Sequence, residues 1–261
     1  MVQMITELLK YRSLLWAFTI RNIQLKYKQT VMGFLWAIFM PLIIVFSGIV
    51  VKAAMAQMSG RPIQLAEMAS VAVKSLSWAF FVAALKFSVN SLVGNMDLVK
   101  KIYFPKEVFP LSYTLGQLFD LFIASAAFTV IFFFAHIGVS IYLLWLPVLI
   151  LLLVMLTAGL GMTLSCANLF YRDVRYVVDV ILTFGIFFTP VFYEASMFKK
   201  WETVILLNPV APILESINRV VVLQQSPDLF WLSYSAAWAF VSFFGGWYIF
   251  DQAEPLFAEK I

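Results

Sequence analysis

The sequence predicts an all-α integral membrane protein with six transmembrane helices, an N-terminal amphipathic interfacial helix, and short re-entrant or interfacial helices between spans five and six. Three observations lead there. Of 261 residues, 63% are hydrophobic and only 12% charged, whereas soluble chains run near 45–50% and about 25%. Six apolar segments can be marked at about 31–51, 70–93, 114–135, 143–165, 177–193 and 231–250, and they contain only four charges, Lys74, Lys86, Asp120 and Asp179. Stretches such as LLWLPVLILLLVML do not alternate apolar with polar, so a β-barrel is excluded.

Residues 1–30 form a cytoplasmic segment, and 31–261 the membrane domain. The first 30 residues carry Glu7, Lys10, Arg12, Arg21, Lys26 and Lys28 with no apolar core or small-residue cleavage site, so no cleavable signal is expected. Within them Trp16, Ile20, Ile23 and Tyr27 recur at helical spacing, an apolar stripe that suits a helix lying along the membrane. Two roles fit this helix: a positive flank that fixes topology, or a docking surface for a cytoplasmic partner.

Orientation follows from the connections. With the N-terminus inside, the inner segments hold eleven Lys and Arg and the outer ones five, so both termini face the cytoplasm. The loop 94–113 is then cytoplasmic and the segment 194–230 periplasmic. In the latter, Asn208 is expected to cap a short helix whose first residue is Pro209, with Glu215 and Arg219 able to pair one turn apart.

The intramembrane charges need partners, because a Lys or Asp at a span centre costs about 2.5–3.5 kcal/mol on insertion scales. Counted from the segment ends, Lys86 and Asp120 lie at equal depth on adjacent antiparallel spans, which predicts an ion pair between them; the alternative is that they face a hydrated conduit or the loop aromatics. Arg172 and Arg175 are topology signals or partners of Asp173 and Asp179. Prolines 41, 147 and 190 read as tolerated kinks.

Enzyme chemistry is missing. There is no GxxxxGK[ST] loop to cradle a nucleotide, no HExxH, no nucleophile elbow and no acidic cluster for a metal-bound diphosphate. The lone His136 and lone Cys166 stand at span ends and read as structural; a single cysteine allows no intrachain disulfide. The chain is therefore expected to bind no cofactor or metal itself. Six helices make a small pore at most, which implies a homodimer, and no inverted repeat of a secondary transporter is visible.

Several stretches are recognisable together: RNIQLKYKQTVMGFLWAIFMPLIIV, NSLVGNMDLVKKIYFPKEVFP, NLFYRDVRYVVDVILTFGIFFTPVFY, LNPVAPILESINRVVV and the ending AEPLFAEKI. Over Ile20 to Ile261 the chain resembles the permease subunit of type 2 ABC exporters of bacterial surface polysaccharides, the family that exports O-antigen, capsule or teichoic acid. The resemblance implies a non-catalytic transport subunit in the bacterial inner membrane. It implies pairing with itself and with two copies of a separate ATPase that binds ATP and Mg, and export of a lipid-linked polysaccharide. It also implies that residues 4–28 and Asn95 to Glu107 face the ATPase, that spans one and five line the conduit, and that Glu194 to Asp228 form short helices at its outer mouth.

The residues give these roles separate content. Lys100, Lys101 and Lys106 surround Ile102, Tyr103 and Phe104, a cationic rim about an apolar knob that a partner's groove can hold, or else an anchor at headgroup level. Sugar faces present C–H groups that suit flat rings. Span one offers Phe34, Trp36, Phe39 and Phe46, and span five offers Phe184, Phe187, Phe188, Phe192 and Tyr193; of these Phe39, Phe46, Phe184, Phe188, Phe192 and Tyr193 are the candidate conduit lining. Lipid-facing or packing roles are the alternative. A type 2 ABC exporter of a small hydrophobic compound and a membrane-embedded lipid-processing enzyme are the competing functions.

Overall fold

The computed structural model describes residues 10–257 apart from Gln29, Val31, Phe34, Ser59, Arg61, Ile102, Tyr103 and 135–137. The expected roles of Phe34, Ile102, Tyr103 and His136 thus fall outside the described residues. Among those described the chain is helical, with no strand.

Helix α1 (Arg12–Tyr27) precedes α2 (Leu35–Met58), α3 (Leu65–Val89), two short helices α4 (Ser91–Gly94) and α5 (Met96–Lys101), and α6 (Val108–Phe134). A 3-10 turn Ile141–Trp145 leads into α7 (Leu146–Phe170), followed by α8 (Val174–Phe188), α9 (Glu202–Leu206), α10 (Val210–Val221) and α11 (Leu229–Ala253). Five of these, α2, α3, α6, α7 with its leading turn, and α11, are long and apolar enough to cross a membrane. The predicted fifth span is shorter than expected: α8 has 15 residues, about 22 Å at 1.5 Å per residue, against a hydrocarbon core of about 30 Å. Thr189 and Pro190 end it, since proline disfavours helix in the residue before it. Among the prolines read as kinks, Pro147 instead occupies the first turn of α7, and only Pro41 stands deep inside a helix.

Helix α3 is the buried centre, covered by α2, α6, α7, α8 and α10. Its serines close polar links that apolar packing alone would leave open. Ser88 Oγ lies 3.0 Å from Pro110 O and 3.0 Å from Thr114 Oγ1 on α6, and Asn168 Nδ2 donates to Val89 O at 3.0 Å from α7. With Phe87 stacked on Tyr113, these contacts set the register of the α3–α6 hairpin. A second cluster gathers at the end where α1 lies: Phe104, Val108, Phe109, Cys166, Phe250 and Phe257 are all buried there.

In place of the expected Asn208 cap with Pro209 as first residue, α10 starts at Val210 with Pro209 in the cap position, and Asn208, one residue earlier, accepts from Val210 N–H through Oδ1 at 3.2 Å. This helix is no surface element: Ala211, Ile213, Leu214, Ile217 and Val220 are buried against α3, α7 and α11. The predicted pairing of Glu215 with Arg219 does not form, because Glu215 turns inward and Arg219 turns toward Asp228, 4.0 Å away.

Helices α7 and α11 approach closely at two glycines. A Cβ on Gly159 would stand 2.2 Å from the Ser242 backbone, and one on Gly246 2.3 Å from Gly159 O. Backbone cannot swing aside as a side chain does, so Gly159→Ala is expected to lower stability by about 1–3 kcal/mol or more. Gly245→Ala, where nothing lies within 4 Å, should leave the thermal midpoint of the purified chain unchanged or raised; equal losses at both positions would contradict this packing.

Candidate functional site

Three intramembrane or near-membrane charge pairs organise the molecule. The first ties α1 to α6. Lys26 Nζ and Tyr27 Oη both donate to the Asp120 carboxylate, Lys26 also donates to Gln117 Oε1 at 3.1 Å, and Asn22 Nδ2 donates to Ser112 Oγ at 3.0 Å. Burial, then the hydrogen bond and charge of Asp120, push the Tyr27 phenol above its usual range. Helix α1 therefore docks through polar contacts at its end, alongside Leu14, Leu15 and Phe18, which pack on the second cluster. Of its predicted apolar stripe, Ile23 and Tyr27 are half-buried, while Trp16 and Ile20 point outward and are free to enter a lipid surface. Between α1, α2, α3 and α6 a cavity of about 410 Å³ opens, with Trp36, Met40, Phe80 and Phe87 as apolar wall and Lys26 and Asp120 at one end.

The second pair corrects the sequence reading. Lys86 and Asp120 are not partners: Lys86 Nζ lies 3.1 Å from Asp179 on α8. The reason is register. Because Ser88 faces Thr114, Lys86 is level with about residue 116, and Asp120 lies four residues deeper, about 6 Å along the axis. That displacement turns Asp120 to α1 and leaves Lys86 for α8. Arg175 does not pair with Asp179 either; its guanidinium donates to Tyr176 Oη at 2.8 Å and lies over that ring.

The third pair is the most buried. Lys74 is 1% exposed, 3.5 Å from Glu215 Oε1, and donates to the Tyr193 carbonyl. Glu215 also accepts from Ala195 N–H at 3.2 Å, so one acid fastens the start of the 195–206 segment to α3. Sequence reasoning marked Lys74 as intramembrane but found it no partner.

The expected knob between α5 and α6 is largely turned inward. Phe104 is 6% exposed and packs against Phe18 of α1 and Phe109. Lys106 Nζ donates to Glu254 Oε1 at 2.8 Å, which brings the end of α11 against the loop. Phe104 and Lys106 therefore brace the loop instead of presenting an open rim. Of the other expected contacts, Lys100 stays exposed, whereas the side chain of Lys101 and all of Tyr103 lie outside the described residues. Glu107, the end of the stretch expected to face the ATPase, is instead buried: 5% exposed, its Oε2 has no hydrogen-bond partner among the described residues. Burial, and then the nearby Glu254 and Asp251 charges, raise its carboxyl to about 7.

The candidate lining separates into two groups. On α2 the exposed face runs Leu35, Phe39, Ile43, Phe46 and Val50, with Ala37, Pro41, Val45, Gly48 and Lys52 buried opposite. On α8 the exposed face runs Val177, Val180, Ile181, Phe184 and Phe188, with Val178 and Leu182 buried. Phe46 and Phe188 are 70% and 74% exposed in the single chain. Phe192 and Tyr193 behave differently. Phe192 seats on Gly48 and Tyr193 Oη donates to Phe187 O at 2.9 Å, so both are packing elements at the junction of α8 and α2.

Comparison with known proteins adds to this geometry. The profile of the ABC-2 type transporter family matches residues 13–221. The chain is 24% identical to the O-antigen export system permease protein RfbA of Myxococcus xanthus over the whole length of both chains. Two proteins of the same name from Klebsiella pneumoniae are 26% and 27% identical, over 78% of this chain and of each relative.

Two predictions follow from the charges. Lys86 Nζ lies 3.1 Å from Asp179, so Lys86→Ala should lower stability by stripping the acid of its partner, and exchanging Lys86→Asp with Asp179→Lys should restore whatever is lost. Recovery by Asp120→Lys instead would reinstate the pairing rejected above. Glu107 ionises in the unfolded chain near 4.5 and in the folded one near 7. Its contribution to stability is greatest at low pH, falls as pH rises through that window, and stays lowered above it, by about 3 kcal/mol in all. Glu107→Gln should flatten unfolding midpoints between pH 4.5 and 7; an unchanged slope would show that the acid is charged when folded.

Proposed function

The chain belongs to the ABC-2 type transporter family, and from that premise we propose that it is the membrane permease of an ATP-driven exporter, moving a lipid-linked surface polysaccharide across a bacterial inner membrane. In this reading both termini are cytoplasmic. The five long helices cross the membrane and α8 with the segment after it makes a sixth passage, folding back through the short helices 195–221. The names of the relatives support the substrate class, and the lack of a nucleotide loop supports a separate ATPase as the energy source.

The observation that carries the reading is the pair of exposed aromatic stripes on α2 and α8. Both helices lean on α3, and Phe192 joins them. Each stripe is apolar and unpaired within one chain, while its reverse face is built into the core. Two copies facing each other would enclose a passage walled by rings that hold sugar C–H faces and by few fixed charges. At the cytoplasmic end, α1 and the exposed Lys100, with Lys101 and Tyr103, form the surface for the ATPase; Phe104 and Lys106 transmit force from it by joining α1, α6 and the end of α11. The apolar cavity ending in Lys26 and Asp120 suits the tail of a lipid carrier.

Single cysteines at Phe39, Phe46, Phe184 and Phe188 in a Cys166→Ser background test this in the assembled complex. At least two should react with small water-soluble thiol reagents and slow when polysaccharide is being exported. Inertness at all four would place the stripes in lipid and sink the conduit. The purified chain by itself should hydrolyse no ATP, and should retain a co-expressed ATPase subunit through purification.

A further inference from the structure

At the end of the helices opposite α1, a cavity of about 200 Å³ lies between the 194–206 segment, α10 and the start of α11. Its size is below the ~300–1,000 Å³ of sites for drug-sized ligands and suits a small polar molecule. Glu194, Glu202, Glu215, Arg219 and Asp228 supply charge around it, and Trp231 supplies a ring. The back wall includes Asn218. This residue is 0% exposed, and neither amide atom, Nδ2 or Oδ1, has a hydrogen-bond partner among the described residues.

An unpartnered buried amide is a standing cost to the fold, and beside a polar cavity it calls for a ligand. Glu215 is fixed by Lys74 and the Ala195 N–H, and Arg219 reaches toward Asp228. The polar wall is thus held in place before any ligand arrives. The charges decide the class. An anion would meet four carboxylates against one guanidinium. A metal ion is disfavoured because, among the described residues, no three acids converge as a ligand set. What remains is a neutral group whose polar atoms both donate and accept, as hydroxyls do, and which carries an apolar C–H face for the indole.

We propose that this cavity binds a single sugar residue, with Asn218 bonding adjacent hydroxyls after a small turn of its side chain, Trp231 covering the C–H face, and Arg219 and the carboxylates completing the ring of partners. The site lies apart from the stripes on α2 and α8 and does not depend on them. It would give a passing glycan, or a free saccharide outside, a hold on the segment that Glu215 fastens to α3.

The test uses the purified chain in lipid nanodiscs and saturation-transfer difference NMR with glucose, galactose, mannose, rhamnose and N-acetylglucosamine. At least one should give a saturable millimolar signal. Asn218→Leu should weaken it about tenfold while leaving the thermal midpoint equal or higher, because the orphaned amide is gone. Trp231→Phe and Glu202→Gln, both milder, should weaken it several-fold, and Tyr171→Leu, an exposed position just past α7 and outside every stripe and cavity described, should not change it. Absence of saturation with all five sugars, equal affinity in the Asn218, Trp231 and Glu202 variants, or saturable binding of calcium in place of sugar would overturn the site. Thiol labelling at the α2 and α8 stripes is a separate readout, so this site and the conduit can fail independently.

Discussion

A carboxylate twelve residues into an apolar helix has to be matched, and the way Asp120 is matched sets the end of the molecule where α1 lies. Left alone in hydrocarbon, the charge would cost more than a helix of this length gains from a few side chains. Lys26 and Tyr27 meet it from α1, and among the described residues no other helix supplies a partner. The interfacial helix is consequently not a loose flank. It is held at one height and one rotation, which puts Phe18 against Phe104 and Ile23 over Gly116. Phe104, fixed in this way, positions Lys106 for Glu254, so α1, the α5–α6 loop and the end of α11 form a single linked layer.

The same rule operates at the far end with a different weight. Lys74 and Glu215 are withdrawn from water and satisfied by the Tyr193 carbonyl and the Ala195 N–H as well as by each other. Removing either partner leaves a buried charge, a change worth several kcal/mol. Lys86 and Asp179 are less buried and tie α8 to α3. Each pair thus attaches a peripheral element to the α3–α6 core: α1, the 195–206 segment with α10, and α8. Each of these elements outside the long helices hangs on a lysine–carboxylate contact.

Hydropathy made the long helices legible, because Leu, Ile, Val and Phe in runs of twenty leave little choice of environment. The observed ends shifted in both directions by several residues: α6 starts at 108 against 114, while α3 ends at 89 against 93. That shift carried the error on Lys86 and Asp120. A charge pair depends on register and rotation, which Ser88, Thr114 and Pro110 set through contacts that no periodicity reveals. The inward turn of Phe104 was hidden for a similar reason, as its partner Phe18 lies 86 positions earlier. The start of α10 near Asn208 and Pro209 was readable to within one residue because such signals are local, and the exposed faces of α2 and α8 were readable as carrying aromatics, though not which rings pack inward: Phe192 needs the notch at Gly48.

The central claim is that Asp120 holds α1 against the membrane helices. It is tested by the distance between nitroxide labels at Trp16 on α1 and Tyr171 just past α7, both exposed, measured by pulsed electron spin resonance in nanodiscs. A single narrow distribution is expected for the parent chain, broadened or displaced by Asp120→Asn and by Lys26→Met, and left intact by Lys86→Ala. An unchanged narrow distribution in both the Asp120 and the Lys26 variants would contradict the account, showing that α1 is held by its apolar contacts alone.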